Sequence, residues 1–129
     1  MAARKSGMKL IDAANLEDWS SRRQHCFMYV IRCKDNTFYT GMTINVGKRF
    51  EMHSKGVGAK YTKGRGPLEL VMQVEFNSGY HARLSEIGFK RLARKDKERW
   101  IALFKAGKLG GVMDKSMTWK KPPELPKDE

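Results

Sequence analysis

The sequence predicts a single α/β (α+β) domain with a small three-stranded antiparallel sheet flanked by helices, in the order β-β-α-β-α-α. Two short runs rich in aromatic and β-branched residues are separated by turn residues, which is typical of a hairpin. A third strand-length run follows between two segments with helical spacing, and 129 residues suffice for one core. We therefore divide the chain into a basic extension (residues 1–25, with a helix favoured over 8–23), a central domain (26–105) and a C-terminal tail (106–129).

The chain is strongly basic, with 26 Lys and Arg against 14 Asp and Glu and a formal charge of +12. Such an excess attracts polyanions and favours nucleic acid as the partner, with a solvated basic surface or acidic lipid as alternatives. No apolar run approaches the roughly 20 residues of a membrane span, and no export signal is recognisable. The expected location is the cytoplasm, in association with the nucleoid.

The two cysteines, Cys26 and Cys33, lie on one predicted strand. Their odd separation points them to opposite faces, and an extended chain holds them about 23 Å apart, beyond the reach of a disulfide. We expect two free, buried thiols, in keeping with a reducing cytoplasm.

The predicted hairpin carries one tyrosine on each strand, Tyr29 in residues 27–33 and Tyr39 in residues 38–43. A two-residue turn within residues 34–37 would place the tyrosines on opposite faces of the sheet. A three-residue loop or a bulge would place them on the same face. If both serve one site, we expect the second arrangement.

The helix expected to end near residue 54 carries Arg49 and His53 on the same face as Val46 and Phe50, its best core residues. An arginine on such a face must extend past the core to solvent, meet a carboxylate, or bind an anionic ligand. His53 is either a structural histidine or part of a site.

A third strand is expected over residues 68–76 and a second core helix over residues 80–93, with a further helix over 96–105. Glu86 falls in the middle of the apolar stripe of the second helix. A buried carboxylate needs a metal, an ion pair with Arg49 or another base, or several donors.

Residues 55–67 form a glycine-rich loop with four cationic side chains. Backbone N–H groups and cations in such a loop suit a phosphate backbone, and Tyr61 would either stack on a base or cover the sheet. The candidate nucleic-acid contacts are Lys48 of the preceding helix and Lys60, Tyr61, Lys63 and Arg65 of the loop.

Four sequence features occur in a characteristic order: Phe-Met-Tyr at residues 27–29, Tyr-Thr-Gly at residues 39–41, the RxxxH pair Arg49 and His53, and Glu86. In this order and spacing the chain resembles the GIY-YIG endonuclease superfamily. It resembles in particular the small standalone bacterial branch, which is similar to the nuclease domain of the excision-repair endonuclease. The loop and third strand, GVGAKYTKGRGPLELV, resemble that branch as well.

The sequence departs from the family pattern at several positions. Phe27 and Met28 replace the first glycine and isoleucine, Thr40 replaces the second isoleucine, and the late asparagine of some relatives has no equivalent here. Ser85 and Gly88, on either side of the glutamate, are unusual in a helix that should be rigid.

The resemblance implies a metal-dependent nuclease that hydrolyses phosphodiester bonds by in-line attack of water. One Mg²⁺ or Mn²⁺ ion would be held by Glu86, while Arg49 would grip the phosphate. Tyr29 would be the general base, with its pKa lowered by neighbouring cations, and Tyr39 would position water or phosphate. His53 would either orient these groups or accept the proton itself.

The implied substrate is DNA, single- or double-stranded and including branched forms, in repair or recombination, and the sequence leaves RNA open as the alternative. Too few residues flank the central domain for a separate recognition domain, so specificity would come from nucleic-acid shape, a partner or a second copy of the chain. A non-catalytic nucleic-acid-binding module is the alternative function, and an interaction protein is a third. The presence of all five candidate site residues favours the enzyme.

Overall fold

The sheet has four strands, one more than the sequence predicts. The computed structural model of the protein describes residues 25–109, 111–117 and 119, so the helix expected over 8–23 lies outside the described residues. Its elements are β1 (Cys26–Arg32), β2 (Phe38–Thr43), α1 (Val46–Ser54), β3 (Glu69–Phe76), α2 (Gly79–Lys90), α3 (Arg94–Lys105) and β4 (Val112–Met113). The strand order is β2-β1-β3-β4, and the first three strands are antiparallel, as predicted. The additional strand, β4, pairs in parallel with β3.

The β1–β2 hairpin places both tyrosines on one face of the sheet. Ile31 pairs with Tyr39, and Tyr29 is two residues from Ile31 along β1, so the two phenols project to the same side. The strands are joined by a loop of residues 34–36, which is closed by a hydrogen bond from the Cys33 N–H to the Thr37 carbonyl, and Asn36 adopts a positive φ of 68°. Asparagine tolerates this left-handed conformation, which three-residue hairpin loops use. The arrangement that a shared site requires is therefore confirmed.

Alternating side chains of β1 supply two cores, one on each face of the sheet. Cys26, Met28 and Val30 pack with residues of α2 and α3, including Phe89 and Ile101. The opposite face is formed by Tyr29, Ile31 and Cys33 with Val46 and Phe50 of α1. Both cysteines are free and buried on opposite faces, as predicted.

The helix boundaries follow local capping. Asn45 caps α1 by accepting a hydrogen bond from the backbone N–H of Lys48 at 3.0 Å. The second core helix ends at Lys90, three residues earlier than expected, and Ala93 is exposed rather than part of the core. The reason is a change of direction after α2: Ala93 is extended and immediately precedes Arg94, the first residue of α3.

Residues 111–117 and Trp119, called here the C-terminal segment, return to the body of the domain. The segment includes β4, which has two residues and therefore no alternating pattern that the sequence could reveal. Trp119 packs edge-on against Phe89 of α2 and Trp100 of α3, with ring centroids 5.1 and 5.0 Å apart. Within the described residues, the helices are all too short or too polar to cross a bilayer.

Candidate active site

The two tyrosines of the hairpin and the histidine of α1 form a cluster of rings. The ring centroid of Tyr39 lies 6.3 Å from that of Tyr29 and 5.1 Å from that of His53. Tyr29 and His53 are each 1% exposed, although both are polar. Because buried polar atoms need partners, the hydrogen bonds of this cluster determine its chemistry.

A chain of hydrogen bonds runs from Tyr29 through His53 to Thr62 in the glycine-rich loop of residues 55–67. The phenol oxygen of Tyr29 lies 2.8 Å from Nε2 of His53, and Nδ1 of His53 lies 2.8 Å from Oγ1 of Thr62. The Thr62 hydroxyl donates to the carbonyl of Ala59 at 3.2 Å. A hydroxyl has one proton, so a Thr62 that donates to Ala59 accepts from His53. The network is then satisfied with the His53 proton on Nδ1, which leaves Nε2 to accept the Tyr29 proton.

Arg49 is held between the loop and the ring cluster. Its guanidinium donates to the carbonyl of Gly58 at 3.0 Å, so its partner is a backbone carbonyl of the loop. It also hydrogen-bonds Tyr29, and its charge acts on both Tyr29 and His53. A half-buried guanidinium that is already oriented beside a phenol is suited to receive a phosphate.

The pKa of Tyr29 is raised in the folded protein, contrary to the sequence-based expectation. Burial disfavours the phenolate and is the largest cause, and the neighbouring Tyr39 adds to it. The Arg49 hydrogen bond and charge lower this pKa but do not overcome burial, and the Glu86 charge raises it. Tyr29 is therefore a neutral phenol at neutral pH.

Burial also lowers the pKa of His53, to about 4, with the Arg49 charge contributing in the same direction. His53 is therefore a neutral imidazole at neutral pH, so Nε2 is available as a proton acceptor. An anion bound at Arg49 would offset the Arg49 contribution and raise the basicity of this ring.

Two glycines allow this packing. Gly41 pairs with Tyr29 across the hairpin, and a Cβ there would lie 2.6 Å from the Tyr29 hydroxyl oxygen. Gly58 is buried under α1, and a Cβ there would lie 2.6 Å from Nδ1 of His53 and 2.8 Å from its Cα. The tyrosine and the loop can approach as they do because both positions lack a side chain.

We expect Gly41→Ala to destabilise the protein by about 1–3 kcal/mol, since the added methyl displaces the Tyr29 phenol in a well-packed site. Urea unfolding followed by circular dichroism measures the change. Gly47→Ala is the matched control, because Gly47 is exposed on α1 and its nearest neighbour to an added Cβ is 3.8 Å away. That variant should be neutral or slightly stabilising. Equal stabilities of the two variants would contradict the packing described here.

Glu86 is buried, with 4% of its surface exposed, and its charge acts on Tyr29. One carboxylate oxygen accepts from Arg83 at 3.0 Å and the other lies 2.8 Å from Nζ of Lys90. Both partners belong to α2, at the i−3 and i+4 positions, and their side chains are 37% and 52% exposed. The ion pair with another base that the sequence left open is thus present.

The residues fit a hard cation that keeps most of its water. Among the described residues, no three His, Cys, Asp or Glu side chains converge, so an ion at Glu86 would have fewer than three such ligands and Glu86 is the one proposed. Mg²⁺ is commonly held by one or two carboxylates together with water and substrate phosphate. Arg83 and Lys90 are half-exposed and would have to release the Glu86 oxygens.

The loop of residues 55–67 places Tyr61 beside the ring cluster and Arg65 over Tyr61. Tyr61 lies 5.9 Å from Tyr39 between ring centroids, is 40% exposed, and carries the Arg65 guanidinium 4.4 Å above its ring. Arg65 is also paired with Asp35 of the hairpin loop. The sequence-predicted contacts Lys48, Lys60 and Lys63 are exposed.

Sequence reasoning missed three side chains that touch the site: Arg83, Lys90 and Thr62. Arg83 and Lys90 could have been found, because i−3 and i+4 positions on a helix are neighbours of Glu86. Thr62 had no signal, since its contact with His53 depends on how the loop folds.

We expect Thr62→Val to leave the Nδ1 proton of His53 without an acceptor, destabilising the protein by about 1–2 kcal/mol. ¹⁵N chemical shifts of the His53 ring measure the tautomer directly. The wild type should show a protonated Nδ1, the valine variant a mixture, and Thr62→Ser the wild-type pattern. An unchanged tautomer in the valine variant would contradict this role of Thr62.

The comparisons with known proteins identify the family of this chain. The family model described as the GIY-YIG catalytic domain matches residues 25–99, which is more than half of the chain, and the chain belongs to this family. The resemblance found in the sequence is thereby confirmed.

Several relatives share the name UPF0213. UPF0213 protein YazA of Bacillus subtilis (strain 168) is 47% identical over 75 residues, covering 58% of this chain and 76% of that protein. A UPF0213 protein of Natronomonas pharaonis is 47% identical over 76 residues, covering 59% of this chain and 89% of that protein. The solution NMR structure of UPF0213 protein BH0048 from Bacillus halodurans is 41% identical, with a TM-score of 0.43, and the match covers 62% of this chain and 85% of that one.

Proposed function

We propose that the chain is a divalent-metal-dependent endonuclease that hydrolyses phosphodiester bonds in DNA. One observation carries the proposal: the phenol of Tyr29 is hydrogen-bonded to Nε2 of His53, and the charges of Arg49 and Glu86 both act on that same phenol. The hydroxyl thus contacts a proton acceptor, and the charges of an anion-binding cation and of the candidate metal ligand on α2 act on it. General-base, electrostatic and metal-ion catalysis of phosphodiester hydrolysis require these groups.

Arg49 would bind the non-bridging oxygens of the scissile phosphate. Its hydrogen bond to the Gly58 carbonyl fixes the guanidinium before substrate arrives, so less side-chain entropy is lost on binding. The phosphate brings negative charge to the place where the Arg49 charge lowers the pKa of His53. Substrate binding would therefore make His53 a better base.

The proton of the attacking water would pass to the Tyr29 oxygen while the phenol proton passes to Nε2 of His53. The Nδ1–H of the resulting imidazolium is already bound by Thr62, so no ring rotation is needed. This relay does not require a phenolate, which burial disfavours. In this relay the two candidate general bases, Tyr29 and His53, act in one proton-transfer path. Tyr39 packs against both rings and would position the water or phosphate.

Glu86 would hold one Mg²⁺ or Mn²⁺ ion, which supplies charge neutralisation at the phosphate and the leaving oxygen when bound. The negative charge of Glu86 raises the pKa of Tyr29. Neutralising that charge would remove one of the contributions that keep the Tyr29 proton in place.

The substrate contacts would come from the loop of residues 55–67 beside the ring cluster. Tyr61 is 40% exposed, so a base that displaced the Arg65 guanidinium could stack on its ring, and Lys60 and Lys63 add exposed positive charge. The net charge of +12 supports a polyanionic substrate. Repair or recombination of DNA, with specificity drawn from a partner or a second copy, is the setting we propose.

The decisive experiment incubates the purified chain with supercoiled plasmid and with single-stranded DNA, each with Mg²⁺, Mn²⁺ or EDTA. We expect cutting with either ion and none with EDTA. A non-catalytic nucleic-acid-binding module is the second candidate function, favoured by the ion pairs that occupy both oxygens of Glu86. Salt-sensitive DNA binding without cutting in any metal would support that candidate and overturn the first.

We expect the stability of the protein to fall as the pH drops from about 6.5 towards 4, because His53 must remain neutral in the fold. The unfolded imidazole takes up a proton near 6.5 and the folded one only near 4, so the unfolded chain binds more protons between these values. The loss should reach about 3 kcal/mol and level off below the folded pKa. Urea unfolding at about pH 7 and pH 4.5 measures it.

The matched variant for this experiment is His53→Gln, which cannot titrate at this position. Its stability should vary less with pH than that of the wild type over the same interval. Identical pH dependence in both proteins would show that His53 is not the group responsible.

A further inference from the structure

We infer that the C-terminal segment is a positioning element for Glu86, acting through Ser85 and Gly88. The inference rests on the proposed function, in which Glu86 is the metal ligand. It assigns a role to a part of the chain beyond residues 25–99, where the match to the GIY-YIG family ends.

The C-terminal segment is hydrogen-bonded to α2 at Ser85, one residue before Glu86. The backbone N–H of Met117 donates to the Ser85 hydroxyl at 2.9 Å, and the indole N–H of Trp119 donates to the Ser85 carbonyl at 2.7 Å. Ser85 is fully buried. Two hydrogen bonds to one buried residue fix both the axial position and the rotation of the helix at that point.

Gly88 completes the contact on the next turn. A Cβ at this position would lie 2.9 Å from Cδ1 of the Trp119 ring. The indole therefore lies directly against the helix backbone, with Phe89 and Trp100 in edge-on contact with it. Ser85 and Gly88 have low helix propensity, and both contact the C-terminal segment. This contact explains why they occur in α2.

The side of α2 that the C-terminal segment contacts can be compared with the side that carries Glu86. At about 100° per residue, Ser85 and Gly88 lie within about 60° of each other, and they lie about 100° and 160° from Glu86. The C-terminal segment thus holds α2 from the side facing away from the carboxylate. Rotation of α2 about its axis would move Glu86 relative to Tyr29, and the segment opposes that rotation.

The test measures Mn²⁺ binding by the loss of the free-ion EPR signal, beside urea unfolding, in the full chain. Trp119→Phe removes the indole donor and keeps a ring. Gly88→Ala raises helix propensity by up to about 1 kcal/mol and pushes the indole away. Both should weaken the Glu86-dependent Mn²⁺ affinity on the order of tenfold, as loss of a ligand-orienting contact does.

If the C-terminal segment only stabilised the fold, variants would lose Mn²⁺ affinity in proportion to their loss of unfolding free energy. If it positions Glu86, Mn²⁺ affinity can fall while the unfolding free energy stays the same. Gly88→Ala should therefore bind Mn²⁺ less tightly without a matching loss of stability. Val112→Ala is the control, because Val112 is 48% exposed in the same segment, and it should stay within about twofold of the wild type.

Two outcomes would overturn the inference, and they differ in what else they affect. If the wild type binds Mn²⁺ through Glu86, as shown by loss of binding in Glu86→Gln, and both segment variants match it, the inference alone is wrong. If Glu86→Gln binds Mn²⁺ as the wild type does, the metal site of the proposed function and this inference fall together.

Discussion

Tyr29→Phe should lower the rate of DNA cutting by about 10²- to 10⁴-fold, the usual contribution of a positioned general base. The substitution removes one oxygen, the atom 2.8 Å from Nε2 of His53, and keeps the ring in its packed position. Loss of rate should appear in kcat with little change in KM, since Arg49 and the loop still bind the substrate. Single-turnover cleavage of a labelled oligonucleotide separates the two.

Tyr80→Phe is the matched control for this loss. Tyr80 lies in the first turn of α2 and is 53% exposed, outside the ring cluster. It should cut at the wild-type rate. Because Tyr29→Phe also leaves Nε2 of His53 without its donor, a stability loss of about 1–2 kcal/mol is expected and must be measured alongside. Cutting by Tyr29→Phe within a few fold of the wild type would contradict the proton path.

Glu86→Gln should reduce metal-dependent cutting by about 10³-fold or more, equivalent to about 4 kcal/mol of transition-state stabilisation. The amide keeps the size of the side chain and loses the charge that a divalent ion needs. Excess Mn²⁺ should not restore the wild-type rate. The measurement is the cutting rate as a function of Mn²⁺ concentration, with binding followed independently by EPR.

Lys90→Met provides a second test of the Glu86 site, because it should strengthen Mn²⁺ binding where Glu86→Gln should weaken it. Lys90 lies 2.8 Å from one Glu86 oxygen and competes with a cation for it. Since Lys90 is half-exposed and solvent screens its charge, we take the upper range for a surface ion pair, about 1 kcal/mol, so its removal should tighten Mn²⁺ binding roughly fivefold. If Glu86→Gln cuts normally, or Lys90→Met weakens Mn²⁺ binding, Glu86 is not the ligand.

The sequence predicted what depends on local pattern. For the hairpin, the sequence left a two- or three-residue loop open and expected the tyrosines on one face if both serve one site; the loop has three residues, with Asn36 in the left-handed conformation, and they share a face. Helical periodicity placed Arg49 and His53 together and put Glu86 in the buried stripe of α2. Each of these conclusions requires at most one turn or one helix.

What the sequence could not give depends on contacts between distant segments. Thr62 reaches His53 through a loop whose path no periodicity describes, and Trp119 reaches Ser85 from 34 residues away. The direction of the Tyr29 pKa shift was predicted wrongly, because its depth of burial is a property of the assembled sheet and α1.

The length of the hairpin loop has a consequence for how such chains are compared. Because alternate residues of a strand face opposite sides, inserting or deleting one residue at positions 34–36 would turn Tyr39 away from Tyr29 while leaving both tyrosines in the sequence. A search that checks residue identities alone would score that chain as complete. Spacing between the two tyrosines is therefore as much a part of the GIY-YIG signature as the tyrosines themselves.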